Sequence, residues 1–312
     1  MSIASVQRSL LLRAAASPRL RHMAESGRLS SAVAGRFVAG RAVADAVAVT
    51  GELVAAGMLV TLDYLGEAVT DPVEARRSAD VVLELIQAVH AAGSAASISV
   101  KPTQLGLDVS VPLCADLVDE IAAAASLCGQ HVTLDMESTA YTQATIDLVL
   151  GARANGHRNV GCAVQSYLLR TPGDVETLTA DGASLRLCKG AYAEPEELAH
   201  QSKQEVSVAY IRCADLLLRS QTFARFATHD HKLVRRIQEL ARGLNLQVGQ
   251  YEFQMLHGVR VPMQQELVAA GEQVRIYVPF GDDWYPYLTR RLAERPANLA
   301  MFLRALVGRR RR

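Results

Sequence analysis

The chain has 312 residues, and its 33 Lys and Arg nearly balance its 32 Asp and Glu, for a formal net charge of +1. A dedicated nucleic-acid binder would be strongly basic, so that class is set aside, and no apolar run approaches the length of a membrane span. Half of the residues are hydrophobic, enough for one large α/β domain or two smaller ones. The five cysteines, Cys114, Cys128, Cys162, Cys188 and Cys213, form no C-x-x-C pair, so neither a zinc site nor a disulfide framework is indicated. Scattered thiols among apolar neighbours suit a reducing cytoplasm.

Residues 1–57 read as a helical segment, punctuated by Gly27, Gly35 and Gly40. The basic, serine-bearing start faintly resembles a transit peptide, and a short amphipathic leading helix accounts for it as well. From residue 58 a rhythm begins. Strands are expected at 59–65, 96–102, 132–136, 160–167, 184–188, 223–227, 246–253 and 273–278. Helices are expected near 72–92, 112–128, 139–154, 172–180, 203–221, 231–242 and 262–271. A final helical stretch begins at Tyr285. Strand–helix alternation implies a parallel sheet, and eight units over about 250 residues is the size of a (β/α)8 barrel. An open doubly wound sheet would normally offer a Gly-rich turn after its first strand. The turn here is Asp63-Tyr-Leu-Gly-Glu67, and no G-x-G-x-x-G occurs. The expected layout is an N-terminal helical segment over 1–57, a catalytic barrel over 58–308 and a basic tail over 309–312.

Polar residues recur at or just past the end of each strand: Glu67, Lys101, Asp135 with Glu137, Gln165, Arg186 with Lys189, Thr228-His229-Asp230, Glu252 with Gln254, and Tyr277. In a barrel these converge on one rim, where barrel active sites are built. Lysine and arginine rarely lie inside runs such as Ile98-Ser-Val-Lys101 or Leu185-Arg-Leu-Cys-Lys189 without partners. No H-E-x-x-H occurs, and the rings of His229 and His231 are expected to diverge at a strand-to-helix turn, so no metal site is assigned. No serine sits in a nucleophile elbow. Lys101 or Lys189 offers an amine for Schiff-base chemistry. Lys189-Gly-Ala-Tyr192 offers a small residue where backbone can approach a phosphate.

In the final helix, Tyr287, Arg290, Arg291 and Glu294 fall at i, i+3, i+4 and i+7, on one face. The apolar Leu288, Leu292, Leu299, Phe302, Leu303 and Leu306 lie mainly on another. Two adjacent guanidiniums repel, and holding them together suggests a shared anion, such as a carboxylate or phosphate. The plainer alternative is a solvated pair with Glu294 as the partner of Arg290.

These segments, taken together, resemble the proline dehydrogenases in their single-function bacterial form. The matching stretches are Thr61-Leu-Asp-Tyr-Leu-Gly-Glu67, Ser99-Val-Lys-Pro-Thr-Gln-Leu-Gly106, Leu134-Asp-Met-Glu-Ser138, Val164-Gln-Ser-Tyr-Leu168 and Leu185-Arg-Leu-Cys-Lys-Gly-Ala-Tyr192. They continue with Phe226-Ala-Thr-His229, Tyr251-Glu-Phe-Gln-Met-Leu-His-Gly258, Arg275-Ile-Tyr-Val-Pro-Phe-Gly281 and Tyr287-Leu-Thr-Arg-Arg-Leu-Ala-Glu294. The resemblance implies a distorted (β/α)8 barrel that binds FAD noncovalently and oxidises L-proline to Δ1-pyrroline-5-carboxylate, by hydride transfer from ring C5 to flavin N5. It also implies a quinone-type electron acceptor, and hence a cytoplasmic protein with a peripheral contact at the inner face of the cell membrane.

The resemblance assigns roles by position. Arg290 and Arg291 match a pair that clamps the proline carboxylate, and Lys101 matches a lysine lining the same pocket. Tyr277, Tyr287 and Leu256 match residues that enclose the pyrrolidine ring. Glu67 matches an acid that pairs with the first clamp arginine when the site closes. Asp135 matches an aspartate central to the active site, and Met136 lies beside the flavin. Arg186 matches the arginine near flavin N5, and Gln165 a contact to the flavin ring. Lys189, Gly190, Ala191, Tyr192, Thr228, His229 and Glu294 match cofactor-contacting positions.

Three positions depart from the family pattern: Asp230 after Ala-Thr-His, Pro102 after Lys101, and Arg295-Pro296 after Glu294. The other readings carried forward are another flavin-dependent barrel, such as one reducing a folate imine, a Schiff-base lyase using Lys101 or Lys189, and a barrel that only binds a carboxylate.

Overall fold

The computed structural model describes Ser17 and residues 34–293. Within them, eight parallel strands close into a barrel in chain order. The strands are β1 (Leu59–Tyr64), β2 (Ala96–Val100), β3 (Val132–Leu134), β4 (Val160–Gln165), β5 (Leu185–Cys188), β6 (Ala224–Ala227), β7 (Tyr251–Leu256) and β8 (Val274–Phe280). The helices are α1 (Val43–Ala55), α2 (Pro72–Ala91), α3 (Val111–Leu127), α4 (Thr139–Ala154), α5 (Thr171–Ala180), α6 (Lys203–Arg219), α7 (His231–Gly243), α8 (Val261–Ala269) and α9 (Trp284–Ala293). The expected (β/α)8 architecture is the one observed.

Period-2 alternation explains why these segments become barrel strands. Val60 and Leu62, Ile98 and Val100, Val132 and Leu134, Leu185 and Leu187, Phe226, Phe253, Ile276 and Val278 are buried together with Val82, Ile86, Val118, Ile121 and Leu217 of the surrounding helices. The alternate positions carry Thr61, Asp63, Ser97, Ser99, Thr133, Asp135, Arg186, Arg225, Glu252, Gln254, Arg275 and Tyr277, many of which hydrogen-bond across the barrel. The interior is therefore polar, where barrels of this class usually fill theirs with branched apolar side chains. Gly161 is required in β4: a Cβ there would lie 2.2 Å from the Ser184 carbonyl, just before the neighbouring strand β5.

The helices start where the side chains dictate. Asp71 accepts from Val73 N and Pro72 follows at the first turn of α2; Ser202 and Glu205 form a reciprocal capping box on α6. Helix α1 packs on β1, β8 and α2, while residues 1–16 and 18–33 of the expected N-terminal helical segment lie outside the described residues, as does everything past 293.

Where strand ends differ from expectation they do so by one to five residues, most of all at β7. β2 stops at Val100, because Lys101 and Pro102 open a turn whose carbonyls accept from Gln104 and Leu105. Pro102 thus costs the ladder no donor. β3 ends at Leu134 and β4 at Gln165. β7 begins at Tyr251, not at 246, because a turn over 247–250 intervenes. There Gly249 has φ +93° and Gln250 closes on Gln247 through both its backbone and its side chain. β7 then runs on to Leu256.

Candidate active site

The later start of β7 lowers Glu252 into the barrel. It was expected at the rim, and instead it is fully buried among two arginines. Arg275 grips it with two bonds, Nε to Oε1 at 2.7 Å and Nη2 to Oε2 at 3.0 Å, and spends its third nitrogen on Val60 O and Ser97 Oγ. Arg225 lies 3.5 Å away and also bonds the ring of His131 at 2.8 Å. Burial works against the Glu252 charge, but Arg275 and Arg225 outweigh it and hold the carboxyl below its ordinary range. Burial, with the neighbouring arginines, keeps His131 neutral. This cluster is the floor of the site.

One layer higher, Gln254 donates to Glu252 and accepts from Arg186 Nε. Arg186 also donates through Nη1 to Ser99 Oγ at 3.0 Å and to Asp135. Its Nη2 is buried and has no hydrogen-bond partner among the described residues. Asp135 also accepts from Ser99 Oγ at 2.8 Å and Tyr277 OH at 2.7 Å, and the Arg186 guanidinium stands 5.1 Å from the Tyr277 ring centre. Burial and the nearby carboxylates push the Tyr277 phenol well up, so it stays a donor at neutral pH.

Beside this group Lys101 Nζ reaches both oxygens of Asp63, at 3.0 and 3.2 Å. Burial alone would lower the lysine, but the carboxylates of Asp63, Asp135 and Glu67 outweigh it and hold the ammonium form well above the ordinary lysine range.

Helix α9 covers the mouth. Leu288 and Leu292 are buried, as the apolar stripe requires, and so is Tyr287, with the Arg291 guanidinium 5.6 Å from its ring centre. Arg290 Nη1 meets Glu67 Oε1 at 2.6 Å, with both side chains about a third exposed. Burial disfavours the Arg290 charge, and Glu67 more than offsets it.

The remaining expected site residues line the same C-terminal rim. Gln165 donates to the Glu137 carbonyl at 2.7 Å, while the Glu137 carboxylate binds Thr103 N and Oγ1. Met136, between Asp135 and Glu137 in sequence, is buried. His229 Nε2 accepts from Leu256 N at 2.9 Å, which ties the β6 and β7 ends together and fixes the tautomer. Burial, with Arg291 and Arg260, pushes His229 down to about 4. Thr228 Oγ1 accepts from Asp230 N. Asp230 caps α7 and pairs with Lys189 at 3.1 Å, so the unusual acid holds a rim lysine in place. Gly190 has φ +107°, and a Cβ there would fall 2.1 Å from the Tyr167 ring. Ala191 and Tyr192 follow it on the exposed edge. Glu294 lies outside the described residues. Among the described residues no group of three His, Cys, Asp or Glu side chains is arranged to hold a metal ion.

A model of the proline dehydrogenase family matches residues 46–304. The chain belongs to the proline dehydrogenase family. It is 34% identical over 272 residues to proline dehydrogenase 1 of Bacillus subtilis subsp. natto, spanning 87% of this chain and 90% of that one. It is 33% identical over 279 residues to the proline dehydrogenase of Deinococcus radiodurans, spanning 88% and 90%. A proline utilization A protein (PutA) of Bdellovibrio bacteriovorus, solved after inactivation by N-propargylglycine, superposes with a TM-score of 0.80 at 25% identity. The match covers 88% of this chain and 34% of that one.

Within this family site, the sequence reading missed Asp63, Ser99, His131, Arg225 and Arg275 as members of the network. The signal was present: each is a polar residue at period 2 within an apolar strand or at its edge, and Thr-Leu-Asp, Ser-Ile-Ser-Val-Lys, Ala-Arg-Phe-Ala and Arg-Ile-Tyr all show it.

Proposed function

We propose that this enzyme uses noncovalently bound FAD to oxidise L-proline to Δ1-pyrroline-5-carboxylate and passes the electrons to a quinone-type acceptor. The observation that carries this reading is the pairing of Arg290 and Arg291 on one turn of α9, over a barrel mouth that holds Lys101 as an ammonium. Such a set fits a small zwitterion whose carboxylate needs several charge-assisted donors.

The residues present also fit a flavin. Arg186 has a buried nitrogen still to be satisfied, and Gly190, where a Cβ would meet the Tyr167 ring, leaves its backbone bare on the rim. Met136, Gln165, Arg186, Lys189, Gly190, Ala191, Tyr192, Thr228 and His229 would hold it, with Glu294 beyond the described residues. When bound, FAD supplies the acceptor for the hydride from proline C5.

The chain's own work is binding and orientation. Arg290 and Arg291 grip the carboxylate in two planar forks, and Lys101 adds a fixed charge, which sets the ring orientation. Tyr277, Tyr287 and Leu256 wall the ring and exclude water. Asp135 orients both Arg186 and Tyr277, and Arg186 presents positive charge where negative charge develops. Glu67 holds Arg290 across the mouth and acts as a latch. The catalytic unit is the barrel over 58–308.

The same electrostatics count against a Schiff-base lyase, which needs a neutral amine. Lys101 is held protonated by carboxylates, and Lys189 is ion-paired. No helix among the described residues is long and apolar enough to cross a membrane, so contact with a membrane quinone is peripheral in this reading.

Purified protein should be yellow, and anaerobic proline should bleach it. Acid precipitation should leave FAD in the supernatant. A colourless protein, FMN in place of FAD, or flavin retained in the pellet would overturn the cofactor reading.

A further inference from the structure

We propose that Gln254 is a positioning residue for Arg186, and that its amide is held in the required orientation by Glu252. This rests on the reading that Arg186 faces the flavin; the tests below keep the two apart.

The geometry is a three-residue relay. Glu252, Arg225 and Arg186 share one level of the sheet, in register across β7, β6 and β5. Gln254 stands one step higher on β7, opposite Ala227 of β6. Ala227 carries only a methyl group, so Arg186 can reach past β6 to Gln254 Oε1. The amide then turns its nitrogen to Glu252 Oε1 at 2.6 Å.

Chemistry fixes this orientation. An ionised carboxylate only accepts and a guanidinium only donates, so an amide between them has one satisfying orientation. A flipped amide would set oxygen against oxygen and N–H against N–H. Glu252 cannot turn to accommodate a flip, because Arg275 holds both of its oxygens and is itself tied to Val60 O and Ser97 Oγ.

The consequence falls on Arg186. Its guanidinium is anchored at Nε by Gln254 and at Nη1 by Ser99 and Asp135. Two anchored nitrogens fix the axis and the Tyr277 ring against the guanidinium fixes the tilt, so the Nη2 edge is aimed. Without Gln254 the hydrogen bonds that remain are all at the Nη1 corner, and the fork can slide over the Tyr277 ring about that corner. Neither a carboxylate nor an apolar side chain at 254 serves both neighbours: the first opposes Glu252, the second satisfies neither.

Two measurements test this. In the flavin-loaded enzyme, Gln254→Met should lower the limiting rate of flavin reduction by proline roughly 10- to 100-fold, the range expected when a catalytic group is displaced by about an ångström. FAD content should be unchanged, and KM for proline should change by less than about 3-fold. Combined with Arg186→Met it should cost nothing further, because the two act as one unit. An equal loss in the Arg186→Met background, or a loss confined to KM, overturns the proposal.

The second measurement uses flavin-free protein labelled with 15N-arginine. The Arg186 Nε–H signal, assigned by its loss in Arg186→Met, should exchange slowly with solvent in the wild type and be lost or fast-exchanging in Gln254→Met. Gln254→Asn, one methylene too short to span both partners, should do the same and serves where the Met variant does not fold. An unchanged signal in either folded variant overturns the positioning role. If proline fails to reduce the wild-type enzyme, the functional reading falls while this signal still decides the role of Gln254.

Discussion

Floor and mouth of the barrel are built from the same residue types and treat charge in opposite ways. In the floor, Arg225 and Arg275 converge on Glu252, which is completely buried, and the surplus donors of Arg275 end on Val60 O and Ser97 Oγ. At the mouth, Arg290 shares a partly exposed contact with Glu67. The floor is structural because it is sealed: Glu252 and Arg225 are buried, and Arg225 Nε, which has no hydrogen bond among the described residues, faces the Glu252 carboxylate at 3.5 Å. A partly exposed pair can lend its donors to a ligand that enters. Charge alone does not mark a site; the exposure of the charged pair does, from fully buried at Glu252 to about a third exposed at Arg290 and Glu67.

The largest expected effect tests the floor. Glu252→Ala leaves Arg225 and Arg275 buried together without their carboxylate and should cost about 3–5 kcal/mol of folding stability. Urea denaturation would report it. A loss below about 1 kcal/mol, the scale of an exposed pair, would mean that water reaches the floor.

The next effect is pH-dependent and lies between the two regions. His229 titrates near 4 in the fold, against 6.5 ordinarily. Between these values the unfolded chain binds the proton and the folded chain does not, so stability falls as the pH drops from 6.5 toward 4. The contribution should be on the order of 1–3 kcal/mol, reduced by the partial exposure of the ring. His131 and His257 are displaced in the same direction. Melting temperatures of flavin-free protein across this window should therefore decline with acid, and His229→Asn should flatten the slope. An unchanged slope would remove His229 from the account.

The smallest effect tests the latch. Glu67→Ala breaks a pair that is about a third exposed, so stability should change by no more than about 1 kcal/mol. Proline binding should weaken while FAD content holds. Wild-type affinity in this variant would mean that the contact is incidental.

Much of this was legible in the sequence. The eight units, the rim and the face of α9 that carries Arg290 and Arg291 followed from periodicity, and the resemblance supplied names for the roles. The floor was not legible, for a physical reason. A short strand can be shifted a few residues without disturbing its apolar pattern, and the segment Leu246-Gln-Val-Gly-Gln250 reads as β-rich until Gly249 turns it. That shift moved Glu252 from the rim to the floor. Partners such as Ser99 and Arg186, or Asp63 and Lys101, are far apart in sequence and meet only when the barrel closes. Polar residues at period 2 were the available clue that the interior was a network.

The central claim is that the mouth is held ready for a carboxylate, and a cycle of two proteins and two substrates tests it most directly. Wild type and Arg291→Met should be compared with proline and with pyrrolidine, which lacks the carboxylate. Losing one charge-assisted partner should cost about 2–5 kcal/mol of proline binding, so KM for proline should rise by orders of magnitude while FAD content stays normal. Pyrrolidine should be a poor substrate for wild type and nearly indifferent to the substitution. Equal losses with both substrates would contradict the account and assign Arg291 to the fold or to the flavin.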